Sequence, residues 1–381
     1  MVLLEHCRHA RFVWNLAVEQ QQFWQSGRRA PGYNEQSAQL TEARAEYLWL
    51  AEGSQTVQQQ ALRDFAQAMR NFFAGNHRRP SWRKAGVHEG FRQVGLKPRH
   101  LEKLNHRYGR VWVPKVGWVR FRCTRAVPEG VKSYRVSRDR AGRWHVAFAH
   151  IPDSITGPAD GSVVGVDRGV AVSAALSTGE LLRAPGLSRG ERARLRRLQQ
   201  RLARAKRDSN RRRRTKLAIA SLRAREADRR RDWVEKTTTD LARRFEIIRV
   251  EDLDVPVMIR SARGTPQRPG TQVTQKRGLN RAISRQAWGQ LVTRLDHKAA
   301  GRIERVPAAF TSQRCSACGH IARENRKSQA VFTCVACQAG PCNADVNAAR
   351  NIAAGRAVAA QGDLVVERSV NCEPQLCSPA T

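Results

Sequence analysis

Apolar and polar positions repeat along this chain with two different periods, and the change from one to the other divides it. Near the N-terminus the period is helical. In "SQTVQQQALRDFAQAMRNFF", Val57, Ala61, Phe65, Met69 and Phe72 fall on one face, with Ser54 placed as an N-cap. "RFVWNLAVEQQQFW" has the same spacing, so residues 1 to about 75 read as a small helical bundle whose apolar side chains form its core. From 110 to 152 the period falls to two. "RVWVPKVGWVRFRC" alternates through Val111, Val113, Val119, Phe121 and Cys123, and Ala141-Gly142 marks a turn between two further alternating runs. A small antiparallel sheet or barrel is expected. Between these regions, "HRRPSWRKAGVHEGFRQ" reads as a basic loop in which Trp82 and Phe91 could stack on bases while the cations meet phosphates.

"PDSITGPADGS" (152–162) has linker composition. After it, "VVGVDRGVAVSAALSTGELLRA" predicts an apolar strand and a second strand with a Ser-Thr-Gly turn. Residues 189–231 predict two charged helices in a hairpin, interrupted at "RDSNRRRR", with Leu195, Leu198 and Leu202 as a stripe that Leu217 and Leu222 continue. "FEIIRVEDLDVP" is a buried strand ending in acids. The polar Gly/Pro/Thr-rich run 263–280 is expected to be mobile, and a helix with Trp288, Leu291 and Leu295 on one face follows it. "GRIERVPAAF" is a strand, a cysteine-rich module comes next, and a last helix is expected over 344–359 before a tail of disordered composition.

Charge changes this picture most. The formal charge is +36, from 69 Lys and Arg against 33 Asp and Glu, which calls for a polyanionic partner, nucleic acid before any membrane surface. Segment 189–231 alone carries 19 Lys or Arg against Glu191, Asp208, Glu226 and Asp228, too one-sided for a merely solvated face. No apolar run reaches 18 residues, and "MVLLEHCRHARFVWN" lacks the basic-then-apolar order of a signal peptide. An odd total of nine cysteines, with four clustered, favours a reducing cytoplasm and a metal over a disulfide framework.

Two groups of residues carry chemistry. Cys315, Cys318, Cys334 and Cys337 have the spacing C-x2-C-x15-C-x2-C, which places four thiolates around Zn²⁺ and leaves no vertex for water. The zinc is therefore expected to be structural. His320 and Cys342 lie close by, but four thiolates need neither. The second group is acidic. Asp167 follows one buried strand, Glu251 follows another with Asp252 and Asp254 as neighbours that the pattern does not exclude, and Asp345 opens the last helix. Three carboxylates can hold two divalent cations about 3.5–4 Å apart for phosphodiester hydrolysis. Mg²⁺ suits such oxygen donors, with Mn²⁺ as the alternative.

The succession "GVDRGV", "VEDL", "TSQRCSACGH", "CVAC" and "NADVNAARNI" resembles the TnpB (OrfB) family encoded by bacterial insertion sequences, long labelled transposases and related to the type V CRISPR effector nucleases. "RFVWNLAVEQ" is similar to that family's first helix, "RRPSWRK" and "GFRQ" to its basic loop, and "VWVPKVGWVRFR" and "GRWHVAF" to its wedge domain, so the resemblance covers about residues 5 to 356. It implies α/β, β-barrel and helical parts: a RuvC-like (RNase H-like) nuclease domain with an inserted zinc ribbon, preceded by a wedge barrel carrying a helical recognition insertion. By position the lobe is 1–80, the wedge 81–155, the nuclease domain 156–311 with the basic hairpin 189–231, the zinc module 312–340, the last RuvC helix 341–357 and the tail 358–381. Carried over in the same way, Asp167, Glu251 and Asp345 are the catalytic carboxylates that hold Mg²⁺, and Cys315, Cys318, Cys334 and Cys337 bind zinc.

The implied activity is RNA-guided cleavage of a DNA target, with a guide RNA from the element's end as cofactor, by a monomer in the bacterial cytoplasm at the nucleoid. The family usually begins with a further strand ahead of the first helix, and the start "MVLLEHCRHARF" lacks its pattern. Two other readings remain at this level. A transposase would use a similar trio to cut and join transposon ends, although no separate helix-turn-helix is evident to read them. A guided DNA-binding protein or truncated remnant without catalysis would not need all three acids.

Overall fold

The computed structural model describes residues 2–22 and 31–355, so the expected tail 358–381 lies outside the described residues. The chain divides into two compact units, Met1–Pro152 with Leu187–Arg229, and Asp153–Gly186 with Arg230–Thr381. The boundary after Pro152 falls at the predicted linker.

In the first unit, helices α1 (Val2–Gln22), α2 (Tyr33–Glu46), α3 (Leu48–Ala51) and α4 (Gln55–Phe73) precede strands β1 (Glu89–Val94), β2 (Leu101–Lys103), β3 (Tyr108–Val113), β4 (Gly117–Arg122), β5 (Ser133–Arg138) and β6 (Trp144–Phe148). Ser54 caps α4 by accepting from the Val57 amide, and Val57, Ala61 and Phe65 are buried as the helical period requires. The strands form two antiparallel sheets, β1-β5-β6 and β2-β3-β4. The basic loop is shorter than expected. Its last residues, from Glu89 on, belong to β1, paired along its length with β5, and Phe91 is 2% exposed in the core, while Trp82 stays exposed. Phe91 therefore packs against protein and has no free face for a base.

The basic hairpin consists of α5 (Arg189–Arg204) and α6 (Asn210–Arg244), and residues up to 229 group with the first unit. Leu187, Leu195, Leu198 and Leu222 form its apolar seam, whereas Leu217 is 49% exposed and does not continue it. α6 runs well past the predicted end at 231. No Gly or Pro interrupts 210–244, and Val234, Thr238, Leu241 and Ala242 are buried at helical spacing.

The second unit is built on a five-stranded sheet of order β11-β10-β7-β8-β9, from β7 (Val163–Asp167), β8 (Ala174–Leu176), β9 (Leu181–Leu182), β10 (Ile247–Asp252) and β11 (Ile303–Pro307). β7, β10 and β11 are parallel, and β8 and β9 turn back as antiparallel neighbours. Val164, Val166, Ile248 and Val250 form the sheet's part of the core, which Leu241, Leu291 and Leu295 complete. Short α7 (Val255–Met258), α8 (Val273–Arg285) and α9 (Trp288–Lys298) connect β10 to β11. α8 occupies half of the segment expected to be mobile. It buries only Ile283, so it has almost no apolar period to reveal it. Polar bonds hold it, from Lys276 Nζ to the Met258 carbonyl at 2.7 Å and from Asn280 Nδ2 to the Ile259 carbonyl at 2.8 Å.

A two-stranded ribbon, β12 (Val331–Phe332) with β13 (Cys342–Asn343), closes the cysteine module and leads into α10 (Ala344–Ala353). α10 stops six residues before the predicted end. Gly355 takes φ +64° and its amide bonds the Ile352 carbonyl at 2.9 Å, a left-handed stop that closes the last turn. Arg249 on β10 donates to the Ala353 carbonyl, which places a cation at the negative end of the helix.

α10 lies directly on β7, and Gly165 makes this possible. A Cβ at that position would overlap the Ala349 carbonyl oxygen and the Ala353 amide nitrogen. Gly165→Ala is accordingly expected to force α10 off the sheet, costing about 1–3 kcal/mol as overpacking does. A drop in the thermal unfolding midpoint of the second unit checks this, and a variant that melts with wild type would show that the helix shifts freely.

Candidate active site and zinc module

Parallel pairing places two acids side by side. The register pairs Ile248 with Val164 and Val250 with Val166, so Glu251 comes next to Asp167, both at the carboxyl ends of their strands. Open α/β sheets collect ligands beyond such ends. Asp167 is half-buried and Glu251 is 8% exposed. Of the acids left open after "IIRV", Glu251 is the buried one, while Asp252 and Asp254 are exposed and Asp254 instead caps α7 through the Val257 amide at 3.0 Å.

Asp345 arrives from above the sheet. Asn343 is the N-cap of α10, its Oδ1 accepting from the amides of Asp345 at 3.0 Å and Val346 at 3.1 Å, which fixes the first turn that carries Asp345. The carboxyl reaches down to the loop after β7. A Cβ on Gly169 would lie 3.9 Å from Asp345 Oδ2. Burial raises the Asp345 pKa, and the nearby cations Arg326 and Arg183 oppose that rise. The Arg326 guanidinium stands 3.6 Å from Asp345 Oδ1.

The sequence pattern gave no sign of two further residues here. Arg168 is 7% exposed, and its Nη2 donates to the main-chain oxygen of Glu251, bridging the ends of β7 and β10. Desolvation lowers its pKa, while Glu251, Asp167 and Asp252 work to keep it charged. Thr311, 4% exposed, gives its hydroxyl to Glu251 Oε1 at 2.7 Å. A buried Arg beside acids invites suspicion, since such a residue is rarely buried alone. Thr311 carries no comparable mark.

The four cysteines converge as their spacing predicts. Their sulfurs lie within 4.8 Å of one another, with Cys315 to Cys337 at 3.7 Å and Cys318 to Cys334 at 3.6 Å. Sulfurs about 2.3 Å from a central zinc occupy tetrahedral corners about 3.8 Å apart, so this donor set fits the ion. The Cys337 amide donates to the Cys334 sulfur at 3.5 Å and holds that thiol down, to about 6, while the neighbouring sulfurs push Cys337 up to about 12, so the four thiols share their charge unevenly. Asn325, fully buried, joins the two knuckles: its amide group donates to the carbonyls of Gln313 and His320, and its Oδ1 accepts from the Val335 amide. His320 and Cys342 are not part of the sulfur group. His320 contributes its carbonyl to the Cys315 amide, and Cys342 pairs in the ribbon with Phe332.

Among the described residues these cysteines are the one group of three or more such side chains with ligand atoms within 4.8 Å of each other. Asp167, Glu251 and Asp345 do not form such a group. No helix among the described residues is long and apolar enough to cross a membrane.

Cys334→Ser is expected to abolish stoichiometric zinc in the purified protein and to lower its soluble yield, because a structural metal is coupled to folding. Elemental analysis reads the first effect. Soluble, zinc-free protein with an unchanged melting midpoint would contradict a structural ion.

Comparison with known proteins gives this geometry a family. Residues 145–262 match the OrfB_IS605 family, described as "Probable transposase". Residues 288–352 match the Cas12f1-like TNB domain. "Putative RNA-guided DNA endonuclease InsQ" of Escherichia coli (strain K12) is 37% identical over 381 residues, covering 97% of this chain and 93% of that protein. A "Putative RNA-guided DNA endonuclease" of Streptomyces pristinaespiralis is 33% identical over 369 residues, covering 93% of this chain and 85% of that one. The fold is similar to that in the "Cryo-EM structure of the Cas12f1-sgRNA-target DNA complex", with a TM-score of 0.52, 12% identity, and coverage of 92% of this chain and 82% of that chain. With more than a third of its residues identical to a relative matched along nearly the whole of both chains, this protein belongs to the OrfB (TnpB) family.

Proposed function

We propose that this chain is an RNA-guided DNA endonuclease, binding a guide RNA and a DNA target and hydrolysing DNA phosphodiester bonds with divalent cations held by Asp167, Glu251 and Asp345. The observation that supports the reading is that Asp167 and Glu251 lie on adjacent parallel strand ends, with Asp345 on α10 close to Gly169 in the loop after β7. The relatives named for that activity match this chain along most of its length. The formal charge of +36 suits two polyanions at once.

The donor set fits Mg²⁺. Three carboxylates offer hard oxygen ligands, and a pair of ions about 3.5–4 Å apart spans more than one shell, in keeping with the spread of the acids. Bound there, such ions supply an activated water and a counter-charge for the leaving oxygen. The protein's own part is to hold the acids. β7 and β10 fix two of them, the Thr311 hydroxyl orients Glu251, and Arg168 ties the main chain of one strand to the next. The cysteine module takes no part in the chemistry. Its thiolates fill a tetrahedron, and its covalent continuation through β13 delivers Asp345.

The test is to express the protein with its flanking DNA, sequence any RNA that co-purifies, and assay Mg²⁺-dependent cutting of a plasmid carrying the matching target. Wild type is expected to retain a defined RNA and to cut only the matched plasmid. Asp167→Ala is expected to retain the RNA and lose cutting by at least about a hundredfold, as loss of a metal ligand does. Cutting that survives in Asp167→Ala would remove this residue from the mechanism. The absence of any specific RNA would move the reading to a transposase.

A further inference from the structure

We infer that Thr311 is a positioning residue that locks Glu251 to the helix bearing Asp345, an inference that rests on the carboxylate reading above. Its side chain and main chain hold different parts of the site. The hydroxyl donates to Glu251 Oε1 at 2.7 Å, and the Ala308 carbonyl, at 3.1 Å, is the more distant acceptor. A hydroxyl has one proton to give, and the closer, ionisable acceptor holds it more strongly. The Thr311 carbonyl in turn accepts from Asn351 Nδ2 on α10 at 2.9 Å.

The same segment is held by three more bonds. Asn351 Nδ2 also reaches the Arg314 carbonyl at 2.8 Å, and Asn347 Nδ2 reaches it at 2.7 Å. Asn347 Oδ1 accepts from the Ser316 amide at 3.0 Å. Asn347 and Asn351 are each 1% exposed and lie one helical turn apart, so they present one face to the segment. That segment leads straight into Cys315. The helix of Asp345, the carboxylate of Glu251 and the first zinc knuckle therefore meet at residues 311–316.

The backbone bears the cost of this arrangement. Phe310, immediately before Thr311, takes φ +59°, a left-handed conformation that is a genuine outlier for a bulky residue. Its ring is 45% exposed, so core packing does not hold it there. The turn is closed by the amides of Gln313 and Arg314, both on the Phe310 carbonyl at 3.0 Å, and its result is to aim Thr311 inward at Glu251. Strain of this kind, kept where the surroundings over-determine it, marks a position where geometry matters more than local stability.

The experiment compares Thr311→Val, Thr311→Ser and Glu251→Gln in the full chain with its guide RNA. Valine removes only the hydroxyl and leaves the main-chain acceptor for Asn351. Expected for Thr311→Val are wild-type zinc content and RNA retention, with cleavage reduced about 10–100-fold and a higher Mg²⁺ concentration for half-maximal rate, the size seen when a group orienting a metal ligand is lost. Thr311→Ser restores both. Thr311→Val cutting like wild type across the Mg²⁺ titration, while Glu251→Gln is inactive, would overturn the inference alone. So would a Thr311→Val protein that loses zinc or folded structure, because the hydroxyl would then be structural. Cutting that survives in Glu251→Gln would overturn the carboxylate reading and this inference with it.

Discussion

The close approach of α10 to β7 is the constraint on which the second unit depends. A helix normally stands off a sheet by the length of its side chains. Here Gly165 on the strand faces the Ala349 carbonyl and the Ala353 amide of the helix, which removes that spacing, and backbone nearly meets backbone. The apolar area of such small residues is modest, so burial alone would not fix the helix strongly. What fixes it is direction: Asn343 holds the first turn, Arg249 holds the last carbonyl, and Asn347 and Asn351 hold the middle. Hydrogen bonds have angles where apolar contacts do not, and a carboxylate carried on this helix inherits their precision.

The zinc module extends that logic. A short module of few strands cannot bury enough surface to order itself. Its core is little more than Cys315, Phe332, Cys334 and Ala344. Four sulfurs placed for one ion offer a substitute for the missing core, and Asn325 ties the two knuckles to each other. The module then gives rigidity to its neighbours. One end of it passes through Thr311 to Glu251, and the other passes through Asn343 to Asp345. A metal held there would bear on the geometry of a site to which it contributes no ligand.

The sequence carried this arrangement unevenly. Periodicity revealed β7, β10, α4 and α9, because each buries an apolar face that repeats with its own geometry. Spacing revealed the cysteines, because metal ligands must recur at knuckle distances. It could not separate Glu251 from Asp252 and Asp254, since that choice depends on which side chain the pleat and the pairing turn inward. α8 escaped notice because polar bonds hold it, and the late end of α6 because Val234 and Leu241 are diluted among charges. Thr311 was the least visible of all. Its role depends on a left-handed Phe310 next door, and no residue type announces a conformation that it disfavours.

Electrostatics explains why these acids need so much support from the backbone. The chain is overwhelmingly cationic, a composition that serves polyanions. Its candidate ligands must nevertheless stay available to a small hard cation and not collapse onto the many arginines. Arg168 directs Nη2 at the main-chain oxygen of Glu251. Arg326 stands 3.6 Å from Asp345, near enough to stabilise the carboxylate yet beyond a normal hydrogen bond. Burial raises the Asp345 pKa, and the opposing charges of Arg326 and Arg183 do not cancel that rise. A divalent ion carries twice an arginine's charge into direct contact with the oxygens and would outweigh either neighbour. Arg168 thus ties the strand ends together at the main chain, while Arg326 faces Asp345 from beyond a normal hydrogen bond.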